Sequence, residues 1–347
     1  MPQDLEFHVV GLSHHTASVE ERERLAIDSA GCTQLLSQHH GPGLPALLLS
    51  TCNRLELYWG GSLDSHSWFE DLVQAKGANL PLTRHHGVAA VRHLFRVAAG
   101  LDSQILGETE ILGQVRRAYE SARKLGTTSR DMDLIFSGAL SAGRRVRRET
   151  MLGRHPGSVA SAAVELVSRY WGNLGGREVL VLGAGEAAEG VLRALHQQGT
   201  RAIVLLSRHP EKARALATAW GAQAGRLDEL SDRLTSADLL LVATASARPV
   251  VSAAQLTRAM ELRGSRELVI VDLAVPRNVE PESREIQNLQ LFDLDDLQKL
   301  CCPAAGEALA KLEEAERVIE DELVRLGLSL RGRVVAPRLA ELHRLGV

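Results

Sequence analysis

The chain has 347 residues, 45% of them hydrophobic and 24% charged, with a formal net charge of −3. That length suits two or three packed domains, and the mild acidity excludes a global positive field for gathering nucleic acid. No apolar run reaches the roughly 18 residues of a membrane span, and four cysteines are too few for a disulfide framework.

The opening MPQDLEFHVV lacks a signal-peptide pattern, so a cytoplasmic protein in a reducing compartment is expected. Residues 5–12, LEFHVVGL, read as a strand, and SVEERERLAI as an amphipathic helix. Residues 46–59, ALLLSTCNRLELYW, read as one strand, buried at its start and half-buried at its end. Four polar side chains, Thr51, Cys52, Asn53 and Arg54, interrupt it. Helical spacing then dominates residues 87–149. Strand, helix and helix-rich order predict an α+β domain over residues 1–150.

After LGRHPGS the pattern changes. The helix VASAAVELVSRYW leads into GREVLVLGAGEAAEGVLRALHQQGTRAIVLLSR, a strand, glycine turn, helix and strand. Further apolar runs at DLLLVATA and ELVIVDLAV alternate with helical stretches. This predicts a Rossmann-type, doubly wound α/β domain over residues 151–295, its parallel sheet lying within about 173–293. Residues 296–347 are expected to hold one long helix, from about 304 to 328, and a shortened dimerisation region. Leu309, Leu312, Ala315, Ile319, Leu323 and Leu326 recur along it at three- and four-residue steps. Such a stripe needs a partner, either the chain's own body or a second copy. Cys301 and Cys302 are adjacent and suit neither a mutual bridge nor a zinc knuckle, so no metal site is expected.

In VLVLGAGEAAEG, Gly183 permits a tight turn and Gly185 lets the backbone approach a pyrophosphate. Ala188 allows close helix packing, and the amides from Gly183 through Ala184, Glu186 and Ala187 meet the phosphate charge. A plain strand-to-helix turn can use the same glycines. At the next strand end, Ser207 and Arg208 stand where an NAD site carries an acid. A guanidinium there suits a 2′-phosphate, so NADP(H) is the expected cofactor; Arg208 as an ordinary solvated side chain is the other reading.

A dinucleotide domain invites redox chemistry, and a cysteine, Cys52, near an arginine, Arg54, suggests a thiolate nucleophile. Neighbouring positive charge lowers a thiol pKa, and a cysteine joined to hydride transfer implies an acyl-level substrate. A merely buried cysteine is the alternative, but polar Thr51, Asn53 and Arg54 make unusual company for a core residue.

LLLSTCNRLELY, RVAAGLDSQILGETEILGQVRRAYESARKLG, VLVLGAGEAAE and VDLAVPRNVEP together resemble the glutamyl-tRNA reductases, in order and from about residue 9 to 330. The resemblance implies NADPH-dependent reduction of glutamyl-tRNA(Glu) to glutamate 1-semialdehyde through a cysteine thioester. That reaction is the first committed step of tetrapyrrole biosynthesis by the C5 pathway. It implies Cys52 as nucleophile, with Thr51, Asn53 and Arg54 around the glutamyl group, and His93 as a residue needed for activity. Ser103, Glu108, Thr109, Glu110 and Gln114 match the substrate-contacting segment. It also implies a homodimer and a transient complex with glutamate-1-semialdehyde aminomutase.

Taken on spacing alone, His93 also fits a partly buried helix histidine, and GETE a helix N-terminus with acids set against its dipole. The chain departs from the family pattern at His15 and Ser18, where Lys and Pro are usual, and at Thr109, where Pro is frequent. It also ends at Val347, where relatives continue into a larger dimerisation region.

Basic clusters at Arg144, Arg145, Arg147 and Arg148, and at Arg116, Arg117, Arg123 and Lys124, are expected to form a strip for tRNA phosphates. With 3% aromatic residues, recognition by backbone and shape is expected over base stacking on a sheet. Two rival readings are a shikimate-dehydrogenase-like oxidoreductase of a small molecule and a non-catalytic tRNA-binding relative. Neither rival accounts for a cysteine in this setting.

Overall fold

The computed structural model describes residues 5–39, 44–63, 67–76, 80–150, 152, 158–300 and 305–344. Cys301 and Cys302 lie outside the described residues. The chain divides into two compact units, Met1–Gly157 with Pro303–Val347, and Ser158–Cys302.

The first unit is built on a four-stranded antiparallel sheet. Strand β1 (Phe7–Ser13) is followed by helices α1 (Val19–Leu25) and α2 (Ser29–His39), then by β2 (Ala46–Ser50) and β3 (Arg54–Gly60). Helix α1 starts at Ser18, whose hydroxyl accepts from Glu21 N–H while Glu21 reaches back to the Ser18 N–H. Helix α3 (Trp68–Ala75), strand β4 (Thr83–His86) and helices α4 (Val88–Ala98), α5 (Glu110–Leu125) and α6 (Arg130–Glu149) complete the block. The spatial order is β2-β3-β1-β4.

The single strand expected over 46–59 is two strands folded into a hairpin, with Thr51 to Asn53 at the turn. Thr51 Oγ1 accepts from both Asn53 N–H (3.1 Å) and Arg54 N–H (3.2 Å), which bends the backbone locally. Nor is β3 half-buried. It lies between β2 and β1, and every residue is buried because both faces are covered. Leu47, Leu49 and Tyr58 join the core under α4, α5 and α6, while Leu48, Leu55 and Leu57 join the core under α2 and α3. Strand β4, Thr-Arg-His-His and mostly exposed, has no apolar pattern to announce it.

The second unit opens with α7 (Val159–Trp171), capped by Ser158, and continues β5 (Val179–Leu182), α8 (Glu186–Gln197), β6 (Ile203–Ser207), α9 (Pro210–Trp220) and β7 (Gln223–Arg226). Then come α10 (Leu230–Arg233), β8 (Leu239–Val242), α11 (Ala253–Arg263), β9 (Leu268–Asp272), β10 (Leu289–Phe292) and α12 (Leu294–Leu300). The six strands are parallel in the order β10-β9-β8-β5-β6-β7. This is the doubly wound arrangement, with the order reversing between β5 and β8. Strands β5 and β8 are buried throughout, as a sheet covered on both faces requires.

Helix α13 (Ala305–Arg344) returns to the first unit. Of the two covers expected for its apolar stripe, the chain's own body and a second copy, the first is the one seen. Ala315, Ile319, Leu323 and Leu326 are buried in the first unit's core, with Leu312 packed against it. Their cover is α4 and α6. Each buried Ile or Leu contributes about 1.5–3 kcal/mol relative to exposure. Ion pairs line the same seam: Arg92–Glu320, Arg96–Glu316, and Arg145–Glu322 at 2.8 Å. The stripe therefore needs no second copy to cover it.

Candidate active site

Cys52 sits in the β2–β3 turn, half-buried. Burial, then the carboxylates of Glu108 and Glu110, push its thiol up to about 12, with Arg22 pulling weakly the other way. An arginine-activated thiolate was expected; the structure reverses it. Arg54 is two residues away in sequence, but its side chain lies inside the protein and serves other acids.

Arg54 is 1% exposed. Its Nη1 donates to Glu56 Oε1 at 2.8 Å, and its Nη2 lies 3.0 Å from Asp102 Oδ2 and also donates to the Asp102 carbonyl. Arg54 was expected to hold the glutamyl group with an open fork, but in this structure both terminal nitrogens are engaged. Its Nε is buried without a hydrogen-bond partner, and so is Asn53 Oδ1 beside it.

Glu56 connects Arg54 to His93. One oxygen also receives His93 Nε2 at 2.8 Å, and the other accepts from Tyr58 Oη at 2.6 Å. Burial alone would raise the Glu56 pKa; Arg54, His93 and Tyr58 outweigh it and hold the carboxyl at about 2. Asp102 shows the same balance: burial works upward, but the His15 contact and Arg54 keep it well below the usual carboxylate range. Nothing in the sequence singled out Glu56 or Asp102. The signal available was alternation in β3, which puts Arg54, Glu56 and Tyr58 on one face.

Glu56, His93, Asp102, His15 and His85 line a cavity of about 110 Å³. The His85 ring stacks on His93 at 4.8 Å between centroids. His14, next to His15, has both ring nitrogens buried without a partner, and burial, then His15 and Arg54, lower its pKa to about 3.

The GETE segment reaches the site through close backbone contact. A side chain at Gly100, where φ is +75°, would put its Cβ 2.8 Å from the Glu108 carbonyl oxygen, so a glycine is needed there. Arg147 Nη2 donates to the carbonyls of Glu108 (3.2 Å) and Thr109 (2.5 Å), holding the entry to α5. Glu108 is 2% exposed. Burial, then Glu110, raise its pKa to about 7, opposed by a hydrogen bond with Ser103. Cys52, Ser103, Glu108 and Glu110 thus form one electrostatically linked group. Gln114, a turn further along α5, lines a different cavity.

The basic strip is partly corrected. Arg145 is committed to Glu149 and Glu322, Arg148 to Glu149, and Arg147 to the carbonyls above. Helix α13 brings Glu322 to this cluster, a neighbour that local sequence does not show. Arg116, Arg117, Arg123 and Lys124 on α5 are exposed, as is Arg144.

In the second unit, Gly183 follows β5 with a φ of +126°; a Cβ there would lie 2.2 Å from the Ala243 carbonyl oxygen. Only glycine fits between β5 and β8. Above Gly185 a Cβ would meet nothing, which leaves the α8 N-terminus open to a phosphate. Ala188 is fully buried. Gly183, Ala184, Gly185, Ala187, Ser207 and Arg208 line a cavity of about 370 Å³ at the carboxyl ends of the strands. Glu186 begins α8 at its edge, exposed. Lys212 and Thr244, missed in the sequence, line it too. Lys212 follows Arg208 by four residues, a spacing that could have found it. Ser207 Oγ accepts from His209 N–H at 3.1 Å, shaping the turn that exposes Arg208.

The VDLAVPRNVEP stretch is a clamp beside this site. Asp272 accepts backbone N–H groups from Ala274, Asn278 and Val279 at 2.7–3.0 Å. Asn278 in turn holds the Ser246 and Pro276 carbonyls and accepts from Thr244. Among the described residues no helix is long and apolar enough to cross a membrane.

Comparison with known proteins divides the chain where the fold does. Residues 10–150 match the family described as glutamyl-tRNA(Glu) reductase, N-terminal domain, and residues 165–300 match shikimate / quinate 5-dehydrogenase. A glutamyl-tRNA reductase of Pelotomaculum thermopropionicum is 38% identical over 97% of this chain and 78% of its own length. One of Deinococcus radiodurans is 39% identical over 92% of this chain and 91% of its own. The solved structure of the Methanopyrus kandleri glutamyl-tRNA reductase superposes with a TM-score of 0.51 at 36% identity, covering 97% of this chain and 84% of that one.

Proposed function

The chain belongs to the glutamyl-tRNA reductase family, and from that premise we infer that Cys52 carries the chemistry of a glutamyl-tRNA reduction to glutamate 1-semialdehyde. The observation that carries this reading is Cys52 in a half-buried turn under the charges of Glu108 and Glu110, next to the Arg54–Glu56–His93 network. The ester linking glutamate to tRNA is already activated, so no nucleotide triphosphate is needed. The resting group is the thiol. Its proton must leave as sulfur attacks, and we assign its acceptance to Glu108, poised near neutrality in the same group. The tRNA hydroxyl leaves, taking that proton, and the glutamyl group remains on Cys52 as a thioester.

NADPH is the proposed reductant. Its pyrophosphate fits over Gly183 to Gly185, and Arg208 with Lys212 supplies two cations for a 2′-phosphate. When bound, the reduced nicotinamide supplies the hydride that turns the acyl group into the aldehyde. Exposed Arg116, Arg117, Arg123 and Lys124 on α5 form the basic face we assign to tRNA phosphates. A shikimate-type reading accounts for the second unit alone and gives Cys52 and Glu108 no task.

Wild type mixed with labelled glutamyl-tRNA and no NADPH should take label onto Cys52, whereas Cys52→Ala should take none and have no reductase turnover. Normal turnover in Cys52→Ala would overturn the assignment.

A further inference from the structure

A second cavity in the first unit, about 410 Å³, lies among α2, the edge strand β2 and α5. Its size is within the range of small-ligand sites, about 300–1,000 Å³. Cys32, Thr33, Leu48, Ser50, Gln114 and Arg117 are among its walls. The cavity lines up with the reaction in the chain itself. Ser50 is two residues before Cys52, at most about 7 Å of extended backbone.

The wall formed by β2 has a specific hydrogen-bonding character. Thr51 N–H donates to Arg54 across the hairpin at 2.9 Å, while Ala46 N–H points the other way, to Thr127 O at 2.8 Å. Alternation along an antiparallel strand then turns the N–H and C=O of Leu48 and Ser50 away from β3. On that side β2 has no neighbouring strand, because it is the edge of the sheet. Leu48 and Ser50 therefore each turn a donor and an acceptor to that side, in a cavity that apolar Leu36 and Ala118 also line. This complements the amino group and ring nitrogen of adenine, whose flat faces suit an apolar slot. Ser121 and exposed Arg117 line the cavity from α5, the latter a cation for the adjoining phosphate.

We propose that this cavity seats the 3′-terminal adenosine of the tRNA substrate, so that the ester on its ribose lies beside Cys52. The proposal rests on the glutamyl-tRNA reading above. It makes the first unit recognise the leaving group as well as the glutamyl group, and it gives Gln114 a place on the nucleoside side of the site.

Two measurements test it. Ala118→Trp fills the cavity from α5. Its kcat/KM for glutamyl-tRNA should fall at least tenfold, while release of 4-nitrophenol from the α-(4-nitrophenyl) ester of glutamate stays at the wild-type rate. Equal loss with both esters, or no loss with either, overturns the proposal. In wild type, a tRNA ending in 8-azidoadenosine should on irradiation label peptides containing residues 27–36 or 114–125; labelling confined elsewhere overturns it. A wild type that neither reduces nor is acylated by glutamyl-tRNA would instead sink the underlying reading. The crosslink and the acylation assay thus separate the two failures.

Discussion

Replacing Glu108 by Gln should stabilise the protein, and by an amount that depends on pH. The carboxyl is buried, and burial followed by the Glu110 charge raises its pKa from 4.5 to about 7. An acid whose folded pKa lies above its unfolded value binds more protons when folded. Stability is therefore lost as pH rises from the unfolded pKa through the folded one, and the full cost stands above pH 7. A rise of about two and a half units corresponds to about 3 kcal/mol, most of it absent at pH 5. Gln keeps the shape and the hydrogen bond to Ser103 but carries no charge to bury. Urea unfolding of wild type and Glu108→Gln at pH 5.0 and 8.5 isolates this carboxyl and its coupling to Cys52 and Glu110, since more distant titrations cancel in the difference. The variant should gain about 2–3 kcal/mol more at pH 8.5 than at pH 5.0. A gain independent of pH, or a loss at pH 8.5, would refute the reasoning. The same variant should lose reductase activity, because the strained carboxylate is the proton acceptor assigned to Cys52.

Three further outcomes follow from the geometry. NADPH should bind better than NADH, and Arg208→Ala should remove about 1–3 kcal/mol of that preference by titration calorimetry, through loss of a charge-assisted contact; equal wild-type affinity for the two cofactors contradicts it. Arg54→Met leaves Glu56 and Asp102 buried without their shared cation, which should cost about 3–5 kcal/mol in urea unfolding; wild-type stability in that variant would mean the network is dispensable. Ile319→Glu puts a charge into the core beneath α13, so sedimentation should show unfolding or aggregation of the first unit, not clean dissociation of a dimer into folded monomers.

Much of the fold could be read without coordinates. The spacing around Gly183, Gly185 and Ala188 announced the dinucleotide unit, because a strand-to-helix turn over a phosphate imposes local rules on consecutive residues. The helical periodicity of α4, α5 and α6 was equally local. The 46–59 stretch was misread because one apolar run can be a strand or the two arms of a hairpin. Only the Thr51 side chain, closing the turn onto two backbone amides, separates these cases.

What the sequence by itself determined is the list of candidate groups: a cysteine at a polar break in an apolar run, acids in GETE, glycines at a strand end and a cation at the next one. What only the tertiary structure decided is their electrical state. Arg54, one residue past the turn, is turned by β3 into a buried pairing with Glu56 and Asp102, and so does not activate Cys52. Burial, and after it the charge of Glu108 more than fifty residues away, raise the thiol's pKa instead. The physical reason is that charge interactions depend on distance and burial, both set by packing between elements that sequence neighbours do not share. The apolar stripe of α13 obeys the same rule: its period predicted a face to be covered, and only the packed helices α4 and α6 showed what covers it.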